Sequence, residues 1–115
     1  MSLTFEKAYF DGLSGALADI RERNLFPTTY ATDHATAANI HWHSYEVLAY
    51  MIKGNTSFLD ADGNEHKLEA GDLITVPART LHAEGAINEP VVMLIGLADA
   101  LPMDQFLVQH APAEL

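Results

Sequence analysis

The chain has 115 residues, 49% hydrophobic and 19% charged, which suits one globular domain able to bury a core without staples. Cysteine is absent, so disulfides, zinc ribbons and thiol catalysis are excluded. Six basic against sixteen acidic residues give a formal charge of −10, a surface that repels phosphate backbones and anionic lipid, so neither nucleic acid nor a membrane is an expected partner.

The N-terminus, Met-Ser-Leu-Thr-Phe-Glu-Lys, lacks a basic region leading into an apolar run, so no signal peptide is expected. The longest apolar run, Val91 to Ala98, is too short to span a bilayer. Together with the lack of cysteine this points to a cytoplasmic protein. In residues 10–23, Leu13, Leu17 and Ile20 recur at i, i+4 and i+7, which predicts a short amphipathic helix weakened by Gly12 and Gly15 and ended by Asn24 and Pro27.

From Thr28 the composition turns to β-formers. Strands are expected over 28–32, 39–43, 47–53, 55–59, 65–68, 73–76, 81–86 and 91–97, with Asp62-Gly63 marking a hairpin. Residues 103–110 are expected to form a short helix. Short strands with turn signals every 8–12 residues predict an all-β sandwich or barrel. The organisation expected is an N-terminal helical arm over 1–27, a barrel over 28–100 and a tail over 101–115.

The chemistry gathers at residues 40–54. His41 and His43 are two apart in a predicted strand, so both side chains share one face, roughly 6.5–7 Å apart at Cα. Two ligands seldom make a metal site, and His82, ending the run from Gly71, is the best third donor. Imidazole suits iron, nickel, copper and zinc, and three histidines leave open coordination positions. Glu46 offers a carboxylate, but parity places Val47 rather than Glu46 on the histidine face. Glu46 reaches the site only if a bulge shifts the register; otherwise the carboxylate is missing. Arg79 is a candidate clamp for a substrate carboxylate or a surface ion-pair partner. Met51 and Ala49 share the ligand face and would wall an apolar pocket. Trp42 is expected to point away from it.

His41, His43, Glu46 and Gly54 in order resemble the first motif of the cupin family, and Gly71, Asp72, Pro77 and His82 resemble the second. Two departures stand out: Glu46 lies earlier than the family carboxylate, and Arg79 takes the place of a glycine. The resemblance implies a cupin jelly-roll barrel, often a homodimer, holding a divalent transition metal (iron, nickel, manganese or zinc) through His41, His43 and His82. Glu46 would be a fourth ligand or general base. It implies a metal-dependent, dioxygenase-like enzyme acting on a small chelating substrate. The alternative is a non-catalytic small-ligand or metal-binding sensor, and a sugar isomerase ranks last because no acid–base pair is evident.

Overall fold

The computed structural model describes residues 2–102, 104–105 and 108–115. In chain order the elements are β1 (Thr4–Glu6), α1 (Gly12–Glu22), β2 (Phe26–Thr32), β3 (Val47–Lys53), β4 (Asn55–Leu59), β5 (Glu65–Glu69), β6 (Leu73–Val76), β7 (Ala83–Glu84) and β8 (Val91–Leu97). Two antiparallel sheets face one another, ordered β1-β6-β3-β8-β2 and β5-β4-β7. The stretch from Ala35 to His41 runs along the free edge of β7 through the Ala35–Ile87 and His41–His82 pairs and a bond from Ala38 N–H to the Glu84 carbonyl. The expected all-β barrel with a short N-terminal helix is therefore present. Among the described residues no helix is long and apolar enough to cross a membrane.

Strand β3 shows why this sequence needs two cores. Val47, Leu48, Ala49, Tyr50 and Met51 are all buried, a continuous run that requires cover on both faces. Val47, Ala49 and Met51 pack between the sheets with Phe58, Ile74, Val76, Met93 and Ile95. Leu48 and Tyr50 point the other way, onto Leu73, Leu94 and the Ala16–Ile20 stripe of α1. The helix lies over one sheet, with Ala16 and Ile20 buried against it.

Helix α1 ends as its sequence suggests. Asn24 takes a left-handed conformation (φ 57°), while Leu25 N–H donates to the Ile20 carbonyl and Asn24 N–H to that of Arg21. These are the paired bonds of a Schellman stop. Pro27 does not end the helix but lies in β2 opposite Gly96, tolerated because β2 is an edge strand.

Two expected strands are shorter than anticipated. His41 pairs with His82 while its neighbour Trp42 pairs with His110, so 39–43 is split between partners and no ladder develops. The 81–86 strand shrinks to Ala83–Glu84. In the tail, Met103, Phe106 and Leu107 lie outside the described residues; Asp104 and Gln105 form a turn, His110 joins the Trp42 bridge, and the helical turn is Pro112–Glu114.

The N-terminal arm is held by one carboxylate. Asp72, 3% exposed, accepts bonds from the N–H groups of Ala8 (2.9 Å) and Glu69 (2.8 Å) and pairs with Lys7. Burial alone would raise its pKa, but Lys7 and the two amides outweigh burial and hold it below the usual carboxylate range. A carboxyl with a depressed folded-state pKa stabilises the fold above its unfolded pKa, and that contribution disappears as pH falls through the folded value. Asp72→Asn is therefore expected to cost about 2 kcal/mol at neutral pH. The difference from the parent should shrink below about pH 4, as urea denaturation across pH would show.

Candidate metal centre

Backbone pairing brings the three histidines together. His41 and His82 exchange both backbone bonds (2.9 and 3.0 Å), so their side chains leave the sheet on the same face. His43, two residues on, follows by parity, and its carbonyl is fixed by Arg79 N–H at 2.8 Å. Every ring is 5% exposed or less, and the ring centroids lie 4.6–5.1 Å apart.

Each imidazole is also held from behind. The Nδ1 atoms of His41, His43 and His82 contact the carbonyls of Asn39 (2.6 Å), Val108 (2.8 Å) and Thr80 (2.9 Å). A carbonyl can only accept, so Nδ1 carries the proton in each ring and Nε2 is left facing its neighbours. This backing by carbonyls is how ligating histidines are oriented. One ligand atom from each ring falls within 4.8 Å of the others.

The carboxylate of the site is Glu84, which the sequence reading missed. Its Oε2 lies 3.3 Å from His41 Nε2 and 3.1 Å from His82 Nε2. Two donors held about 2.1 Å from one ion stand about 3.0–3.4 Å apart, so these are separations that co-ligands take. His41 Nε2 and Glu84 Oε2 are both buried, yet neither has a partner with hydrogen-bond geometry. Buried polar atoms converging without hydrogen bonds fit a divalent cation.

Electrostatics agree with that chemistry. Burial pushes the Glu84 pKa up, but the His41 and His82 rings more than offset it and bring it to about 2. Glu84 is thus an anion at neutral pH. Burial disfavours the His41 cation, yet Glu84 reverses the balance and its pKa is raised. His43 is lowered by burial and by its two neighbouring rings, which keeps it a neutral donor. An incoming metal competes with the proton that Glu84 favours on His41.

The other candidate residues stand elsewhere. Glu46 is exposed and takes no place in the cluster, because β3 keeps its register from Leu48 to Met51 and Val47, as parity required, faces inward. Arg79 is exposed, with its guanidinium 5.0 Å over the Trp42 ring, and so clamps nothing in the cavity. Its φ of 61° explains why a glycine suits that turn. Met51 is fully buried on the correct face but too deep: along β3 the cavity wall ends at Ala49. Trp42 turns away as expected, stacking on His110 and donating from Nε1 to the Ala111 carbonyl.

His43, His82 and Glu84 line a cavity of about 220 Å³ between the sheets. Its walls are largely apolar, with Val47, Ala49, Phe58, Val76, Ile87, Met93 and Ile95. No lysine or arginine is among the residues lining it. A small molecule there meets mostly apolar walls, with Tyr30, Thr36, Thr56 and Gln109 as further polar residues in the lining.

Comparisons with known proteins agree with this architecture. A DUF861 family protein from Thermotoga maritima superposes with a TM-score of 0.58 at 18% identity, over 83% of this chain and 98% of that one. The DMSP lyase DddQ from Ruegeria pomeroyi DSS-3 gives 0.57 at 20% identity, over 69% of this chain but only 40% of its own. A cupin superfamily protein from Desulfitobacterium hafniense DCB-2 gives 0.53 at 20% identity, over 65% and 68% of the two chains. At such identities the likeness is one of fold. No curated protein matches the chain in sequence. The family model described as the cupin domain matches residues 30–95, more than half of the chain, and with the barrel and its histidine triad this places the protein in the cupin family.

Proposed function

We propose that this protein is a metal-dependent enzyme of the dioxygenase-like cupin kind, acting on a small substrate that chelates the metal through one anionic group. The observation that carries the reading is the set of three buried histidines, each tethered at Nδ1 to a backbone carbonyl, with one ligand atom from each within 4.8 Å of the others and Glu84 beside His41 and His82. His41, His43 and His82 would hold the ion, with Glu84 as fourth donor. When bound, a divalent transition metal supplies a Lewis acid with coordination positions left for substrate. The protein's share is to orient the donors, to keep Glu84 ionised and to exclude bulk water with the apolar walls. Because no cation lines the cavity, an anionic substrate group has only the metal end to bind. A phosphorylated sugar is disfavoured for the same reason.

The test is elemental analysis of tag-free protein after anaerobic reconstitution with iron, nickel, manganese or zinc, followed by oxygen uptake with small chelating acids. About one equivalent of iron with substrate-dependent oxygen consumption is the expected result. Retention of metal without turnover on any substrate would favour the non-catalytic binding module, and failure to retain any of the four ions would overturn the reading.

A further inference from the structure

We propose that the C-terminal segment Val108–Ala111 is a positioning strap for the metal centre: its docking on Trp42 orients His43, so that tail docking and metal binding reinforce one another. This rests on the metal-site reading above and adds a condition to it. The three ring tethers are not alike. His41 and His82 lean on carbonyls two residues away, those of Asn39 and Thr80, whereas His43 leans on that of Val108, 65 residues along the chain. Two ligands are therefore oriented by their own loops, and the third by a remote tail.

Trp42 is what holds that tail. It exchanges both backbone bonds with His110 (3.0 and 2.9 Å), donates from Nε1 to the Ala111 carbonyl at 3.0 Å, and stacks on the His110 ring with centroids 4.4 Å apart. Apolar burial adds little to this docking, since Val108 is 40% exposed and Gln109 is exposed as well. Gln109 also belongs to the lining of the cavity, so the strap forms part of its wall. A segment held by a few hydrogen bonds and one ring stack opens locally, at a cost below that of unfolding the barrel. Opening takes the Val108 carbonyl away from His43 Nδ1. The ring is then free to turn, and Nε2 is free to carry the proton that a ligand atom must lack. By linkage, the factor by which docking raises metal affinity is the factor by which metal favours docking.

Two full-length variants separate strap from scaffold. His110→Pro removes both the N–H that bonds the Trp42 carbonyl and the stacked ring, whereas His110→Phe keeps the N–H and a ring to stack. Zinc affinity is measured by chelator competition. Histidine tautomers of the metal-free proteins are read by proton–nitrogen NMR above the ordinary histidine pKa, with His41 and His82 as internal references. In His110→Pro zinc affinity is expected to fall about 10–100-fold, and His43 alone to lose its Nδ1–H tautomer. His110→Phe is expected to restore both. In the parent, zinc is expected to slow hydrogen exchange of the Trp42 indole N–H by a factor similar to the affinity lost in His110→Pro. Parental zinc affinity and an unchanged His43 tautomer in His110→Pro would overturn the inference while leaving the metal reading intact, the tail then being structural only. Equal losses in His110→Phe and His110→Pro would overturn it too, because the imidazole rather than docking would then matter. Indole exchange in the parent that is indifferent to zinc would overturn it whatever the fate of His110→Pro. A parent that binds no zinc would instead overturn the metal reading, and this inference with it.

Discussion

Replacing His82 by alanine is expected to leave the purified protein unable to retain a divalent metal, and Glu84→Gln to weaken retention about 10–100-fold. Glu46→Gln is expected to leave affinity unchanged. The order follows from geometry. His82 supplies a buried Nε2 and a backbone pair that aligns His41, so its loss removes one donor and leaves only two. Glu84 contributes the only carboxylate oxygen close to those nitrogens among the described residues, at 3.1 and 3.3 Å. Glutamine preserves its size but removes the charge that favours a cation among neutral rings. Glu46 is exposed outside the cluster. Competition against a chelating indicator, run on the three variants and the parent, gives the ranking directly. Should Glu46→Gln weaken binding while Glu84→Gln does not, the carboxylate has been assigned to the wrong strand.

That contrast shows how far the sequence carried the site. The histidines were legible because strand parity is a local rule: His41 and His43 are two apart, and alternation alone puts them on one face. The same rule would have found Glu84, two residues beyond His82 in a segment expected to be a strand. Glu46 lies near the position of the family carboxylate but on the other side of the pleat, as parity predicts, and is exposed. Met51 was placed on the correct face, yet sequence holds no information about cavity depth. The short strand Thr4–Glu6 was missed for a different reason. Three residues show no periodicity, and this strand exists through its pairing with Leu73–Thr75 and the ties to Asp72. The split of 39–43 between His82 and His110 was equally hidden, because both partners are distant in the chain. Local alternation and turn chemistry were readable, whereas features fixed by remote partners were not.

Gly54 and Gly63 share one backbone angle and are expected to differ sharply in what they tolerate. Both have φ of +82°, a conformation in which a side chain costs on the order of 1 kcal/mol. At Gly63, in the β4–β5 hairpin, a Cβ would meet nothing within 4 Å. Gly63→Ala should therefore cost only that backbone penalty, about 1 kcal/mol. At Gly54, where β3 turns into β4, a Cβ would lie 2.4 Å from the Pro90 carbonyl oxygen and 3.2 Å from Val91 Cα. Backbone atoms cannot swing aside as the end of a flexible side chain can. The strand would have to move, and it carries Val91, Met93 and Ile95 of the core between the sheets. Adding an overpacking cost of about 1–3 kcal/mol to the backbone penalty puts Gly54→Ala at about 2–4 kcal/mol. Guanidinium unfolding of the two variants beside the parent isolates the steric part, because the conformational part is common to both. Equal losses would mean that the close approach to Pro90 relaxes freely, and that Gly54 is required only to turn the chain. A much larger loss at Gly54 makes it the point where the strand leading from the metal site is locked against β8.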